Sequence, residues 1–116
     1  MFTITKVYSD EAGDSHFAEI EIPLNEAGSV GNLSSPYPAN AVIFREVLPT
    51  YDWDFHCAPA RQFIILLDGE IEIETSLGEK KQFKGGDILL MEDISGKGHK
   101  TRNIIPQIRR SVFITL

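Results

Sequence analysis

The sequence predicts an all-β domain, a sandwich or barrel of eight or more short strands. Apolar and polar residues alternate with a period of two, most clearly at residues 70–74, where Ile and Glu occupy opposite faces. Turn-forming residues separate these short segments, and no segment shows a 3.6-residue apolar repeat over eleven or more residues. Many short strands with frequent turns are typical of antiparallel sandwiches and barrels. The 116 residues match one domain, so we predict a single domain over residues 1–116.

The individual elements follow from local patterns. Residues 2–8 and 17–22 alternate and predict two early strands, whereas residues 28–40 are rich in Gly, Ser and Pro and predict an irregular segment. Asp68-Gly69 predicts a tight hairpin turn between the segments on either side of it. Four apolar runs are typical of strands covered on both faces, namely residues 41–44, 63–67, 88–91 and 112–114.

Composition excludes several classes of function. The chain carries 17 acidic and 11 basic residues, a net charge of −6, and has no basic block to bind nucleic acid or an anionic membrane. The longest uninterrupted aliphatic or aromatic run is five residues, too short to cross a bilayer, and residues 1–10 lack the pattern of a secretory signal. The one cysteine, Cys57, cannot form an internal disulfide. A reducing compartment is consistent with that, and we expect a cytoplasmic protein.

Three histidines are the candidates for chemistry. His56 precedes the longest apolar run, His99 follows a glycine-rich loop, and His16 lies at the start of an early strand. Neutral imidazoles facing the interior of a barrel suit a divalent metal, and two of them with a side-chain oxygen make a three-ligand site with an open position. The alternative is that each histidine is a surface residue or a hydrogen-bonded core residue.

Residues 56–69 resemble the first of the two sequence motifs of the cupin superfamily. That motif has a His, a second His two positions later, a Glu, and a Gly seven positions after the Glu. His56 occupies the first His position and Gly69 the Gly position. Ala58 stands at the second His position and Gln62 at the Glu position, so one imidazole and one negative charge of the usual ligand set are replaced.

Residues 86–103 resemble the second cupin motif. Gly86 begins it, Glu92 replaces its Pro, and His99 with Asn103 reproduces its ending of His, three residues and Asn. The loop over residues 92–99 is longer than the usual form and is similar to that of short single-domain cupins of unassigned function. The resemblance implies a cupin-type double-stranded β-helix, the jelly-roll barrel. It also implies a homodimer, and we expect the N-terminal strand at residues 2–8 to cross to the partner.

The resemblance places a metal site in the barrel, with His56, Gln62 and His99 as the ligands of Zn, Fe, Ni or Mn. Water or His16 would complete the coordination. The replaced ligands weaken the site, because a carboxylate binds a hard cation more strongly than an amide does. Five further residues are expected to form the ligand pocket: Trp53, Ala58, Arg61, His16 and Asn103.

Several of these residues have structural alternatives. Trp53 walls the pocket or packs in the core, and Arg61 holds an anionic ligand or pairs with a carboxylate. Glu92 and Asp93 form a carboxylate pair for acid–base chemistry or anchor their loop. Two functions remain open: a small cupin that binds a small molecule, with or without a metal, and a metal-dependent dioxygenase, isomerase or lyase.

Overall fold

The computed structural model describes all 116 residues and consists of strands joined by turns. The only helical element is a 3₁₀ turn at Gly28–Val30. The strands are β1 (Phe2–Ser9), β2 (Ser15–Ile22), β3 (Asn25–Glu26), β4 (Asn32–Leu33), β5 (Ala41–Val47), β6 (Asp52–His56), β7 (Gln62–Leu66), β8 (Glu70–Thr75), β9 (Lys80–Lys84), β10 (Ile88–Met91), β11 (His99–Asn103) and β12 (Arg109–Thr115). None of the structure's helices could cross a membrane.

The strands form two main sheets, which confirms the predicted all-β jelly roll. The larger sheet has the order β2-β1-β10-β7-β12-β5, the smaller has the order β6-β11-β8-β9, and β3 and β4 form a separate hairpin. Every neighbouring pair is antiparallel except β1 with β10. The two sheets are not hydrogen-bonded into a closed barrel. β1 is paired on both edges within its own chain, by β2 and β10.

The core lies between the sheets and follows from the alternation of the strands. Ile71 and Ile73 of β8 are 3% and 1% exposed, and the glutamates that alternate with them remain partly exposed on the outer face. The larger sheet contributes Val7, Leu66, Leu89 and Met91 from β1, β7 and β10. Successive residues of a strand point to opposite faces, so the period-two pattern of β8 by itself places Ile71 and Ile73 inside.

Two local predictions are wrong. Asp68-Gly69 does not close a hairpin, because β7 and β8 belong to different sheets. Instead this corner contacts β12: Asp68 accepts hydrogen bonds from the backbone N–H and the Nε of Arg110, at 2.6 and 2.8 Å. Residues 41–44 are not covered on both faces either. They begin β5, an edge strand, and Phe44 is 82% exposed.

Candidate functional site

A cavity of about 90 Å³ lies between the two sheets. Ten of its sixteen lining residues are hydrophobic, and none is Asp or Glu. Its polar and titratable lining comes from strands of both sheets and from the segment between β5 and β6: Arg45, Tyr51, His56, Gln62, His99 and Thr101. The sandwich therefore encloses a mostly apolar space in which a few polar groups converge, the usual composition of a small-molecule site.

His56 and His99 meet across neighbouring strands of the smaller sheet. They are register partners in the β6–β11 pair, with ring centroids 4.4 Å apart and planes inclined by 57°. Gly98 permits this approach, because it has φ +73° and a Cβ there would lie 2.2 Å from the carbonyl oxygen of His56. Ser15 fixes the glycine from the other side by donating its hydroxyl to the Gly98 carbonyl at 2.6 Å. The glycine loop thus brings the two imidazoles together.

His99 is held by a buried carboxylate. Its Nδ1 lies 2.5 Å from Oδ2 of Asp93, and the two side chains are only 5% and 0% exposed. The main chain of Asp93 is also fixed, since its carbonyl accepts the N–H of Ala58 at 3.1 Å. A carboxylate bound to one imidazole nitrogen orients the ring and, as hydrogen-bond acceptor, keeps the proton on Nδ1, so that Nε2 is the free nitrogen.

His56 has a different environment. Its Nδ1 lies 2.8 Å from the carbonyl oxygen of Asp54, which can only accept, so Nδ1 carries the proton. Its ring stacks on Trp53 at 3.8 Å with planes 9° apart. Partial burial lowers the pKa of His56 below its ordinary value of 6.5; the hydrogen bond to Asp54 opposes this, and the proximity of His99 adds to it. His56 is accordingly a neutral imidazole near pH 7.

Several polar side chains that line the cavity have atoms without a hydrogen-bond partner in the chain. Neither His56 nor His99 forms a hydrogen bond through Nε2. Gln62, only 3% exposed, lines the same cavity, and its amide makes no hydrogen bond to the protein. No group of three or more His, Cys, Asp or Glu residues is arranged to hold a metal. The donors therefore fit a metal only as a weak set of two imidazoles and one amide oxygen.

The remaining predicted pocket residues divide into two groups. Trp53 and Ala58 line the cavity. The other three lie outside its lining and have partners of their own. Arg61 pairs with Glu92, His16 lies 2.6 Å from Asp10, and Asn103 donates to the Leu48 carbonyl and accepts from Arg109. The structure thus brings His56, Gln62 and His99 together with Trp53 and Ala58, and not with His16, Arg61 or Asn103.

Sequence reasoning names neither Arg45 nor Tyr51, and it does not pair Asp93 with His99. It treats Glu92 and Asp93 as one pair, but the structure places their side chains in different environments. Glu92 pairs with Lys6 and Arg61 at the surface, whereas Asp93 is buried against His99. The alternation of side chains along an extended segment was the available signal, because it separates adjacent carboxylates onto opposite sides.

Comparison with known proteins gives little beyond this geometry. The chain matches no protein-family model, and no curated protein is similar to it at a significant level. Among solved structures it is similar to protein NMB1881 from Neisseria meningitidis, with 15% identity over 65% of this chain and 71% of that chain and a TM-score of 0.47. It is also similar to a putative ethanolamine utilization protein Q from Salmonella typhimurium, with 15% identity over 99% and 95% of the two chains and a TM-score of 0.38. Similarity at this level carries no information about function.

Proposed function

We propose that this chain is a small cupin-type protein that binds a small molecule in the cavity between its sheets. His56, His99 and Gln62 would bind the polar part of the ligand. One observation carries the proposal: both imidazoles use Nδ1 for a partner in the protein and leave Nε2 free, beside a buried amide that also lacks a partner. Polar groups that line a cavity are normally hydrogen-bonded to the protein, to water or to a ligand, and a ligand would supply the partners that the protein does not.

The size and lining of the cavity limit the ligand. At about 90 Å³ the cavity is well below the volumes of roughly 300–1,000 Å³ that drug-sized ligands occupy. A molecule of a few non-hydrogen atoms, with an apolar body and one or two polar groups, matches a lining that is mostly hydrophobic. Ala58, in place of a bulkier side chain, leaves space next to His56.

A fragment screen followed by NMR tests the proposal. Small polar fragments are added to ¹⁵N-labelled protein that has been passed over a chelating resin, and shifts are followed at the Trp53 indole and at the imidazoles. We expect a subset of fragments to shift these signals, and Gln62→Leu to weaken their binding about tenfold, the effect of losing one hydrogen bond in a buried site. Gln82→Leu, on the exposed face of β9, is the matched control. The absence of any shift, or equal binding by both variants, would contradict the proposal.

A second candidate function is a metal-dependent enzyme that uses the same residues. The hydrogen bond between Asp93 and His99 favours it, because metal-binding imidazoles commonly donate their other nitrogen to a carboxylate. His56, His99 and Gln62 would hold the ion, which would supply Lewis-acid chemistry at the cavity. With Ala58 and Gln62 at two ligand positions, the affinity would be low.

Cobalt is a suitable probe for this candidate, since its visible absorption reports coordination directly. We expect Co²⁺ to give a ligand-field band that both His56→Ala and His99→Ala abolish. Glu74→Gln is the control, because that carboxylate lies on the outer face of β8 and would report adventitious binding. A band that persists in both histidine variants would exclude this site as the metal centre.

The homodimer and the cytoplasmic location stay predictions. Since both edges of β1 are already paired within the chain, the unpaired edges of the two main sheets belong to β2, β5, β6 and β9. Sedimentation over a range of concentrations tests the dimer, and a monomer mass throughout would contradict it.

A further inference from the structure

Two of the five arginines lack a carboxylate partner. Arg61, Arg102 and Arg110 each pair with a carboxylate at the surface, namely Glu92, Glu72 and Asp68. Arg45 and Arg109 pair with none, although the chain contains 17 acidic residues. The two unpaired guanidiniums are neighbours beside the cavity, which makes their position informative about what the cavity binds.

Arg45 and Arg109 lie on the adjacent strands β5 and β12. Arg45 is opposite Ser111 in the register and Arg109 is opposite Val47, so the two arginines are diagonal neighbours on one face of the sheet. Both guanidiniums lie over the ring of Tyr51, with Cζ 5.5 Å and 5.2 Å from its centroid. Like charges on neighbouring strands repel each other, and an anion near both of them would offset this repulsion.

Arg109 is the more buried of the two. It is 1% exposed, its Nε donates to Oδ1 of Asn103 at 2.8 Å, and its Nη1 and Nη2 are buried with no acceptor. Burial in the first place, and then the charge of Arg45, lower the pKa of Arg109 to about 10, so it remains a cation at neutral pH. A buried cation with two unsatisfied donor groups is costly, so Arg109 adds an uncompensated positive charge next to Arg45.

The cavity has the charge that an anionic ligand requires. Arg45 lines it and is its only formally charged side chain, whereas Arg109 lies outside the lining but contacts the ring of Tyr51, which is part of it. The single protein hydrogen bond of the Arg45 side chain is from Nε to the Ser111 hydroxyl, at 3.1 Å, which leaves its terminal nitrogens free. Although the chain has a net charge of −6, the lining of this cavity contains no carboxylate and one cation, Arg45.

We propose that the cavity ligand is a small monocarboxylate whose carboxylate group binds Arg45, with the neighbouring Arg109 adding positive charge. This inference rests on the proposed function and names its ligand class. A planar guanidinium pairs with a carboxylate through two parallel hydrogen bonds, and the apolar lining suits a short alkyl or hydroxyalkyl body. The two imidazoles and Gln62 remain for a polar group at the other end of the molecule.

One pair of isosteric probes tests, without any mutation, whether the ligand must carry a negative charge. Propionate and propionamide have the same shape and differ in charge, and both are titrated at constant ionic strength into resin-treated protein. We expect propionate to shift the ring signals of Tyr51 and Phe113, and to bind at least about tenfold more tightly than propionamide, as expected for a hydrogen bond to a charged group. Inorganic phosphate is the third probe and should bind more weakly than propionate.

Variants then locate the carboxylate. Arg45→Gln should weaken propionate binding about tenfold or more, and Arg45→Lys should restore only part of the loss, because an ammonium lacks the planar fork. Arg102→Gln, which removes a surface arginine of β11 paired with Glu72, should leave the affinity unchanged. Arg45 is on an edge strand and partly exposed, so these variants are expected to fold.

The outcomes separate this inference from the proposed function. Equal binding of propionate and propionamide, or tighter binding of phosphate, would overturn the carboxylate assignment and leave a small-molecule site intact. Unchanged propionate affinity in Arg45→Gln would place the anion elsewhere. If neither the acids nor the neutral fragments shift any cavity signal, the proposed function itself fails.

Discussion

The two imidazoles of the cavity face each other on neighbouring strands but are held in opposite ways. His99 is on β11, an interior strand of the smaller sheet, and its partner is a carboxylate with no exposed surface. His56 is on β6, an edge strand, and is held by a backbone carbonyl and by stacking on the half-exposed Trp53. The site therefore has a rigid half, formed by His99 and Asp93, and an adaptable half, formed by His56 and Trp53.

This difference shows how the site combines orientation with access. The His99 side is buried and fixed by three strands of backbone pairing, so its Nε2 has a set position. The His56 side is partly exposed, and movement of Trp53 and His56 together requires no buried charge to lose its partner. We expect ligands to enter beside His56 and Trp53 and to be aligned by His99.

The largest effect on stability is expected from Gly98→Ala, which would force the strands that carry His56 and His99 apart. An added Cβ would lie 2.2 Å from the carbonyl oxygen of His56, and the residue would keep a positive φ. We expect a loss of more than about 3 kcal/mol in the free energy of unfolding, measured by urea denaturation. Gly78→Ala is the control, since it has φ +87° with open space around it, and it should cost only about 1–2 kcal/mol. Equal losses would show that the contact with His56 is not what the glycine provides.

His99→Ala is expected to have the next largest effect. It leaves the Asp93 carboxylate buried with no partner for either oxygen, since Oδ1 already lacks one. We expect a loss of about 3 kcal/mol in the free energy of unfolding. The double variant Asp93→Ala, His99→Ala should cost less than the sum of the two single variants, because the penalty comes from one unpaired partner. Strict additivity would mean that the two side chains do not stabilise each other.

His56→Ala should cost much less, about 1 kcal/mol, because only a stacking contact and a partly exposed hydrogen bond are lost. The comparison with His99→Ala, made in the same urea titrations, measures how unequal the two halves are. A loss as large as that of His99→Ala would remove the distinction between a rigid and an adaptable half.

The pH dependence of stability isolates the His56 side. Because its pKa is lowered in the folded protein, the unfolded chain takes up a proton first as the pH falls through about 6.5. The folded state therefore loses stability from there down to the lowered pKa, while above pH 6.5 this contribution is fully present. Urea denaturation from about pH 7.5 to about pH 5 should show a smaller pH dependence in His56→Gln than in the wild type. Identical dependences would contradict the lowered pKa.

The smallest effect is expected from His16→Ala. His16 pairs with Asp10 near the surface, away from the cavity lining. We expect the urea midpoint and the fragment-induced shifts of Trp53 to match the wild type within error. A loss of fragment binding would place His16 in the site after all.

The local sequence predicted most of the strands and the role of His56 and His99 as site residues. It did not predict which strands pair with one another. Gly69 does form a turn with φ +73°, as Asp68-Gly69 indicates, yet β8 then pairs with β9 and β11 rather than with β7. A turn signal fixes the direction of the chain over a few residues, whereas the strand to which it then hydrogen-bonds depends on packing far along the chain. The prediction that the apolar residues of β5 are covered on both faces failed for the same reason. Nothing in the local sequence distinguishes an edge strand from a central one.

The sequence by itself determined the all-β class, the faces of β8 and the presence of His56, Gln62 and His99 near two recognisable motifs. It did so because side-chain alternation and turn chemistry are properties of consecutive residues. Only the tertiary structure decided that Asp93 binds His99, that Glu92 does not, and that Arg45 and Arg109 both lie over the ring of Tyr51. These contacts join residues from separate strands and loops, and long-range pairing and burial, rather than spacing in the chain, bring them together.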